Sequence, residues 1–185
     1  SAVVTMPYEQ LDITNAESVQ AVLRRVQPDA VIHCAAWTAV DLAEDEDKQE
    51  LVRAINADGT RNIARVCKEL DCKMVYISTD YVFDGCSSVP YGEYAEPAPL
   101  SAYGRSKFAG ELAVLASGAR HFIIRTSWLY SPYGKNFVKT MLGLTATKPQ
   151  LNVVFDQTGT PTYALDLAET IFDILENRKW EGNDG

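Results

Sequence analysis

Histidine, metal-type cysteine pairs, positive charge and early glycine are all scarce in this chain. It has two histidines, His33 and His121, and four cysteines, Cys34, Cys67, Cys72 and Cys86, with no C-x-x-C pair among them. That spacing excludes the usual zinc motifs, so no metal site is expected. The thiols read as free, buried or half-buried groups in a reducing cytosol rather than as a disulfide frame, with Cys34 a small core residue in an apolar run. Lys and Arg number 17 against 25 Asp and Glu, a net charge of −8. With no basic stripe, nucleic acid is not an expected partner. No apolar run approaches the ~18 residues of a membrane span, and no signal peptide opens the sequence, so the expectation is a cytoplasmic protein without a membrane partner. The composition, 46% hydrophobic and 23% charged, is that of an ordinary globular chain. A length of 185 residues suits one domain, or one with a small appendage, and can build a core without staples.

Apolar periodicity divides the chain into alternating elements. Ala2–Thr5 reads as the tail of a strand. A helix is expected over Asn15–Val26, with Asn15 as N-cap and Pro28 just beyond its end. Ala30–Cys34 reads as a short buried strand and Ala43–Leu70 as one long helix, with Leu51, Ile55, Ile63, Val66 and Leu70 as its stripe and Asn56 and Asn62 interrupting the surface pattern. The acidic run Glu44–Asp47 reads as a solvated helix start. Then follow a strand over Lys73–Ser78, a helix over Tyr103–Ser117 with Leu112 and Leu115 inward, and a strand over His121–Thr126. Phe137–Thr145 is helical, Leu151–Phe155 a short strand and Leu165–Asn177 a helix. Such alternation predicts βαβ units and an α/β, doubly wound, mostly parallel, Rossmann-like sheet. The division expected is a partial dinucleotide-binding domain over 1–150, carrying Tyr103 and Lys107, and the start of a substrate-binding region over 151–185.

Ser101-Ala102-Tyr103-Gly104-Arg105-Ser106-Lys107 follows a proline-rich turn and carries a helix start signal. Positions i and i+4 share a helix face, so Tyr103 and Lys107 can address one small molecule. A tyrosine titrates near ~10, and a neighbouring cation lowers that value, which makes the phenol usable in acid–base chemistry. Pairs of this kind also arise by chance on solvated faces, so context decides. The other polar signals collect at strand carboxyl edges, where ligands bind in such sheets: Asp12, Ala35–Thr38, Ser78–Tyr81 and Ser127–Trp128. Ala35 and Ala36 suit close approach of a ribose or phosphate, or a tight turn. Thr79 suits a hydrogen bond to a carbonyl oxygen, or a cap. Asp80 suits a sugar hydroxyl or a loop cap, and Trp128 suits stacking or packing. Asn136, after Gly134 and Lys135, suits an anion at a helix start or a plain N-cap.

The segments AAWTAVD (35–41), STDYVFDG (78–85), Tyr103-x-x-x-Lys107 with Gly110-Glu111, RTSWLY (125–130), Asn136-Phe137 and DQ-x-G-x-PT (156–162) carry a resemblance over nearly the whole chain. It resembles the extended short-chain dehydrogenases/reductases, and among these is most similar to the dTDP-4-dehydrorhamnose reductases. The Tyr/Lys pair belongs to the whole superfamily; STDYVFDG, RTSWLY and DQ-x-G-x-PT are narrower. The resemblance implies NADPH- or NADH-dependent reduction of a 4-keto nucleotide-sugar, dTDP-4-dehydrorhamnose, to dTDP-L-rhamnose. It implies Tyr103 as proton donor, Lys107 on the nicotinamide ribose and lowering the Tyr103 pKa, and Thr79 on the same carbonyl. It implies Asp12 and Ile13 on the adenine side, Ala36, Trp37 and Thr38 along the middle of the cofactor, and Thr79, Asp80, Trp128 and Asn136 on the substrate. A homodimer and an interface Mg2+ are compatible with it, although nothing in the sequence indicates the metal. Two alternatives stay open: a non-catalytic regulatory subunit of the methionine adenosyltransferase type, and an epimerase or dehydratase of the same superfamily. One departure stands out. The family opens with a strand and a glycine-rich pyrophosphate turn, whereas the first glycine here is Gly59. A fragment incomplete at both ends, with weakened cofactor binding, is the expectation.

Overall fold

The computed structural model describes residues 2–176. Asn15 caps α1 (Ala16–Val26) by accepting from the N–H groups of Glu17 and Ser18, and Gln27 closes it in the left-handed conformation. β1 (Ala30–His33) pairs in parallel with β2 (Lys73–Thr79), Ala30 opposite Lys73 and His33 opposite Tyr76. β3 (His121–Thr126) completes a three-stranded sheet in the order β1-β2-β3. Between β2 and β3 runs α4 (Ala102–Ser117), capped by the Ser101 hydroxyl on the Gly104 N–H and ended by Gly118 at φ 65°. The main core joins Val19, Val22 and Leu23 of α1 to Met74 and Tyr76 of β2 and Val114 of α4, with Ile63, Val66 and Cys67 from the helix before β2.

That helix is not continuous. Asp41–Glu44 forms a 3-10 turn, α2 spans Gln49–Arg53, Ala54–Gly59 is a π segment, and α3 spans Thr60–Glu69. The π turn widens the helix where Asn56 must face inward, fully buried; such insertions recur at functional positions. Leu51, expected in the apolar stripe, is exposed, while Ile63 and Val66 keep to the core. Ala2–Thr5 and Leu151–Phe155 are not strands. Both lack a ladder partner among the described strands, and a strand without one leaves its backbone unpaired. Cys34, just past β1, is exposed, and Cys67 and Cys72 are buried.

The inward face of α4 is Tyr103, Ser106, Lys107, Gly110, Glu111 and Val114, whereas Leu112 and Leu115 are half exposed. The chemical residues occupy the buried side and displace the leucines outward, the reverse of the expected packing.

The described residues form two compact units that divide between Arg125 and Thr126. In the second, β4 (Leu129–Tyr130) pairs in parallel with β5 (Thr162–Tyr163), joined by α5 (Phe137–Thr145) and followed by α6 (Ala164–Glu176). Asn177, placed in the last helix from sequence, lies outside the described residues. The architecture is α/β, with β1 paired to β2 and β4 paired to β5 in parallel. Among the described residues no helix is long and apolar enough to cross a membrane.

Candidate active site

β2 delivers Thr79 as its last residue, and the chain turns at once into the 3-10 segment Asp80–Val82. Glycine at 104 lets the first turn of α4 press against this segment: a Cβ there would collide with the Tyr81 carbonyl oxygen. The approach brings the phenol of Tyr103, itself buried, beside the Thr79 hydroxyl, with the Tyr81 ring edge-on at 5.6 Å. Thr79 donates to Asp80 Oδ1 at 3.0 Å and accepts from the Tyr81 N–H at 3.2 Å.

Burial raises the Tyr103 pKa above its ordinary value, Thr79 pulls it back in part, and Asp80 and Tyr81 add to the rise. The phenol is therefore protonated at neutral pH and holds a proton to give. Lys107 lies one helical turn further along α4. Its Nζ donates to the Ile77 carbonyl at 2.7 Å and lies 4.2 Å from the Tyr76 ring centre. The amine is thus turned onto the backbone of β2. Burial lowers the Lys107 pKa to about 8, opposed by Glu111 and Cys34. Asp80, by contrast, is pushed up by burial, with its Thr79 bond opposing.

Of the cofactor-side candidates, Asp12 and Ile13 precede α1, and Ala36, Trp37 and Thr38 follow β1. Asp12 Oδ1 accepts from the N–H and hydroxyl of Thr14 at 2.9 and 2.7 Å, a self-closed turn. Buried Ile13 has its carbonyl held by Asn62 Nδ2 at 3.0 Å. Ala36 and Trp37 are half-buried and Thr38 is exposed. Trp37 is pinned from both sides by Asn56, which accepts from its N–H at 2.8 Å and donates to its carbonyl at 3.2 Å. The same amide donates to Ser106 Oγ at 2.9 Å, and Ser106 donates to the Tyr103 carbonyl at 2.7 Å. One buried side chain therefore ties the loop after β1 to the turn of α4 that carries Tyr103.

Sequence reading gave no role to two groups here. Asn56 was legible only as a polar break in a helical stripe. Glu111 is buried and accepts a paired contact from Arg125, Nε at 3.0 Å and Nη2 at 2.7 Å, and a hydrogen bond from Ser78 Oγ at 2.5 Å. Arg125 also lies 4.9 Å from the Phe83 ring centre. The available signal was an arginine inside an otherwise apolar strand, since buried charges require partners.

Trp128 and Asn136 belong to the second unit. Trp128 has φ 46°, a conformation uncommon for a bulky residue, and its indole packs over Gly159, where a Cβ would meet the ring at 3.0 Å. The Ser127 hydroxyl donates to the Thr160 carbonyl at 2.7 Å. Asn136 is the N-cap of α5: it accepts from the Lys139 N–H at 3.1 Å and donates to the Ser131 carbonyl at 2.7 Å.

Comparison with known proteins places the chain in a family. The model of the RmlD substrate binding domain matches residues 1–184. A dTDP-4-dehydrorhamnose reductase of Sinorhizobium fredii is 43% identical over 93% of this chain and 57% of its own length. Two solved structures are similar: a dTDP-4-dehydrorhamnose reductase of Bacillus anthracis in complex with NADP has TM-score 0.89 and 46% identity, over 92% of this chain and 60% of that one. A Clostridium acetobutylicum orthologue has TM-score 0.89 and 43% identity, over 94% and 61%. The chain thus spans about three-fifths of the length of these relatives. With the family model matching residues 1–184 and the α/β fold shared with these structures, the chain belongs to the RmlD substrate binding domain family.

Proposed function

We propose that this chain carries the proton-transfer half of an NADPH- or NADH-dependent reductase that converts the 4-keto group of dTDP-4-dehydrorhamnose to the alcohol of dTDP-L-rhamnose. The observation that carries the reading is the buried pair of Tyr103, kept protonated by burial, and Thr79. A reduced nicotinamide, when bound, supplies hydride to C4. The chain does the rest. Tyr103 donates its proton to the C4 oxygen as negative charge develops there. Thr79 turns its hydroxyl from Asp80 to the same oxygen, stabilising the charge before the proton arrives. Lys107 leaves the Ile77 carbonyl for the nicotinamide ribose. Its cation then lies nearer the phenol and favours proton loss at the moment of transfer.

Asp12 and Ile13 are assigned to the adenine side and Ala36, Trp37 and Thr38 to the middle of the cofactor. Asp80, Trp128 and Asn136 are assigned to the nucleotide-sugar, Asn136 through groups now spent on capping α5. The reading gives 1–150 to the dinucleotide side and 151–185 to the start of the substrate side, with a cytoplasmic location and a homodimer. Epimerase- and dehydratase-type chemistry is not favoured: the dehydratase of Streptomyces venezuelae among the similar structures is only 23% identical, which supports a shared fold and no more.

The test is consumption of NADPH or NADH, followed by absorbance, with dTDP-4-dehydrorhamnose as substrate. The reading expects one dinucleotide oxidised per sugar reduced. Sugar turnover without net dinucleotide oxidation, or dinucleotide binding with no turnover, counts against it.

A further inference from the structure

Glu44 looked like one member of a solvated acidic run, yet its carboxylate reaches across to the catalytic helix. Glu44 Oε1 accepts the backbone N–H of Ala102 at 2.7 Å. Ala102 is the first residue of α4 and immediately precedes Tyr103. The first turn of a helix has N–H groups without intrahelical partners. Here Ser101 takes that of Gly104 at 2.9 Å, and Glu44 takes that of Ala102 from 58 positions earlier in sequence. A carboxylate at this end also suits the helix dipole.

The contact does not stand alone. Ala43, fully buried, packs with Val52, Ala102 and Tyr103 in a small second core, with Trp37 and Val40 against it. The Gln49 side chain donates to the Glu44 carbonyl at 3.5 Å, a weak contact that still ties the turn to α2. The 3-10 turn Asp41–Glu44 is therefore the direct continuation of the loop Ala35–Val40, whose Ala36, Trp37 and Thr38 are assigned above to the cofactor, and ends on the helix turn that holds Tyr103.

We propose that Glu44 is a positioning residue: by clamping the N-terminus of α4 it fixes Tyr103 against Thr79, and it transmits the position of the loop after β1 to that phenol. The inference rests on the reductase reading for its catalytic consequence and on hydrogen bonding alone for its structural part. Proton transfer needs hydrogen-bond reach between donor and acceptor, and a small displacement of such a group costs rate steeply.

The test compares Glu44→Ala with Glu44→Gln in the full chain. The glutamine keeps an acceptor oxygen for the Ala102 N–H, and the alanine does not. Amide exchange at Ala102 in the unliganded protein should accelerate in Glu44→Ala and stay protected in Glu44→Gln. With NADPH and keto-sugar, kcat should fall by about tenfold in the alanine variant with the sugar KM nearly unchanged, and glutamine should restore most of it. Unchanged exchange in Glu44→Ala overturns the clamp, whatever the wild-type activity. Accelerated exchange with unchanged kcat overturns its catalytic role. Absence of turnover in the wild type refutes the reductase reading instead, and leaves the exchange comparison to decide the clamp.

Discussion

Gly110→Ala tests how closely α4 must approach the sheet to place its chemistry. An alanine Cβ at 110 would lie 2.5 Å from the Asn56 carbonyl oxygen and closer still to the Tyr76 hydroxyl. Ordinary contact needs ~3.5 Å, so about 1 Å must be found. Neither neighbour can yield easily. Tyr76 and Asn56 are fully buried, and the Asn56 oxygen is backbone that already accepts from the Thr60 hydroxyl at 2.8 Å. Overpacking of this kind costs about 1–3 kcal/mol, and a rigid site belongs at the upper end. Replacing a mid-helix glycine by alanine returns about 1 kcal/mol. The net expectation is a loss of about 2 kcal/mol, or roughly 4–8 °C in Tm for a chain of this size. Gly143→Ala in α5 is the matched control, since nothing lies within 4 Å of its Cβ position; there only the propensity gain should remain. Urea unfolding followed by circular dichroism reads both. If Gly110→Ala is as stable as the wild type while Gly143→Ala is stabilised, α4 does not sit where the site requires it.

Three further outcomes follow from the same geometry. Glu111→Ala should destabilise by about 3 kcal/mol, because it strands Arg125, whose side chain is only 23% exposed, and the Ser78 hydroxyl; Glu111→Gln should recover part of that, and urea midpoints of the two decide. Lys107 has its folded pKa lowered to about 8 from 10.5. Between those values the unfolded chain binds more protons, so stability should rise with pH. The rise is best read from about pH 8 to 10, because the buried tyrosines, with raised pKa values, oppose it above. Lys107→Met should lack the rise in a pH series of urea midpoints, and a parallel slope in both proteins would contradict the burial argument. Gly159→Ala should push the Trp128 indole toward water, since the new Cβ meets the ring at 3.0 Å, and red-shift its emission; an unchanged spectrum would show that the ring is not held there.

Much of the scaffold was legible because it obeys simple rules. α1 could be read from Asn15 to Val26 through its cap and its spacing, and β1, β2 and β3 through short apolar runs. Where the inward face carries chemistry, periodicity misleads. On α4 the buried positions are Tyr103, Ser106, Lys107 and Glu111, so Leu112 and Leu115 were assigned to the wrong side. The helix over 43–70 was read as one piece because a π turn leaves no period of its own; Asn56 within the stripe was the trace it left. β4 and β5, two residues each, are too short for alternation to register. Tyr103 was marked by its spacing to Lys107 and Thr79 by its place at a strand end, and their shared role at one carbonyl came only from the family resemblance. The resting position of Lys107 was not legible, since it depends on a carbonyl of β2 that no local pattern marks.

The most direct measurement of the central claim is Tyr103→Phe, compared with the wild type in keto-sugar reduction and in sugar binding by calorimetry. Loss of the hydroxyl removes the only group assigned to give the proton while leaving the ring, its burial and its edge contact with Tyr81 in place. General acid catalysis contributes about 10²–10⁴-fold, so kcat should fall by at least about a hundredfold with the sugar dissociation constant nearly unchanged. Turnover near the wild-type rate would show that the proton comes from elsewhere and that Tyr103 is not the acid.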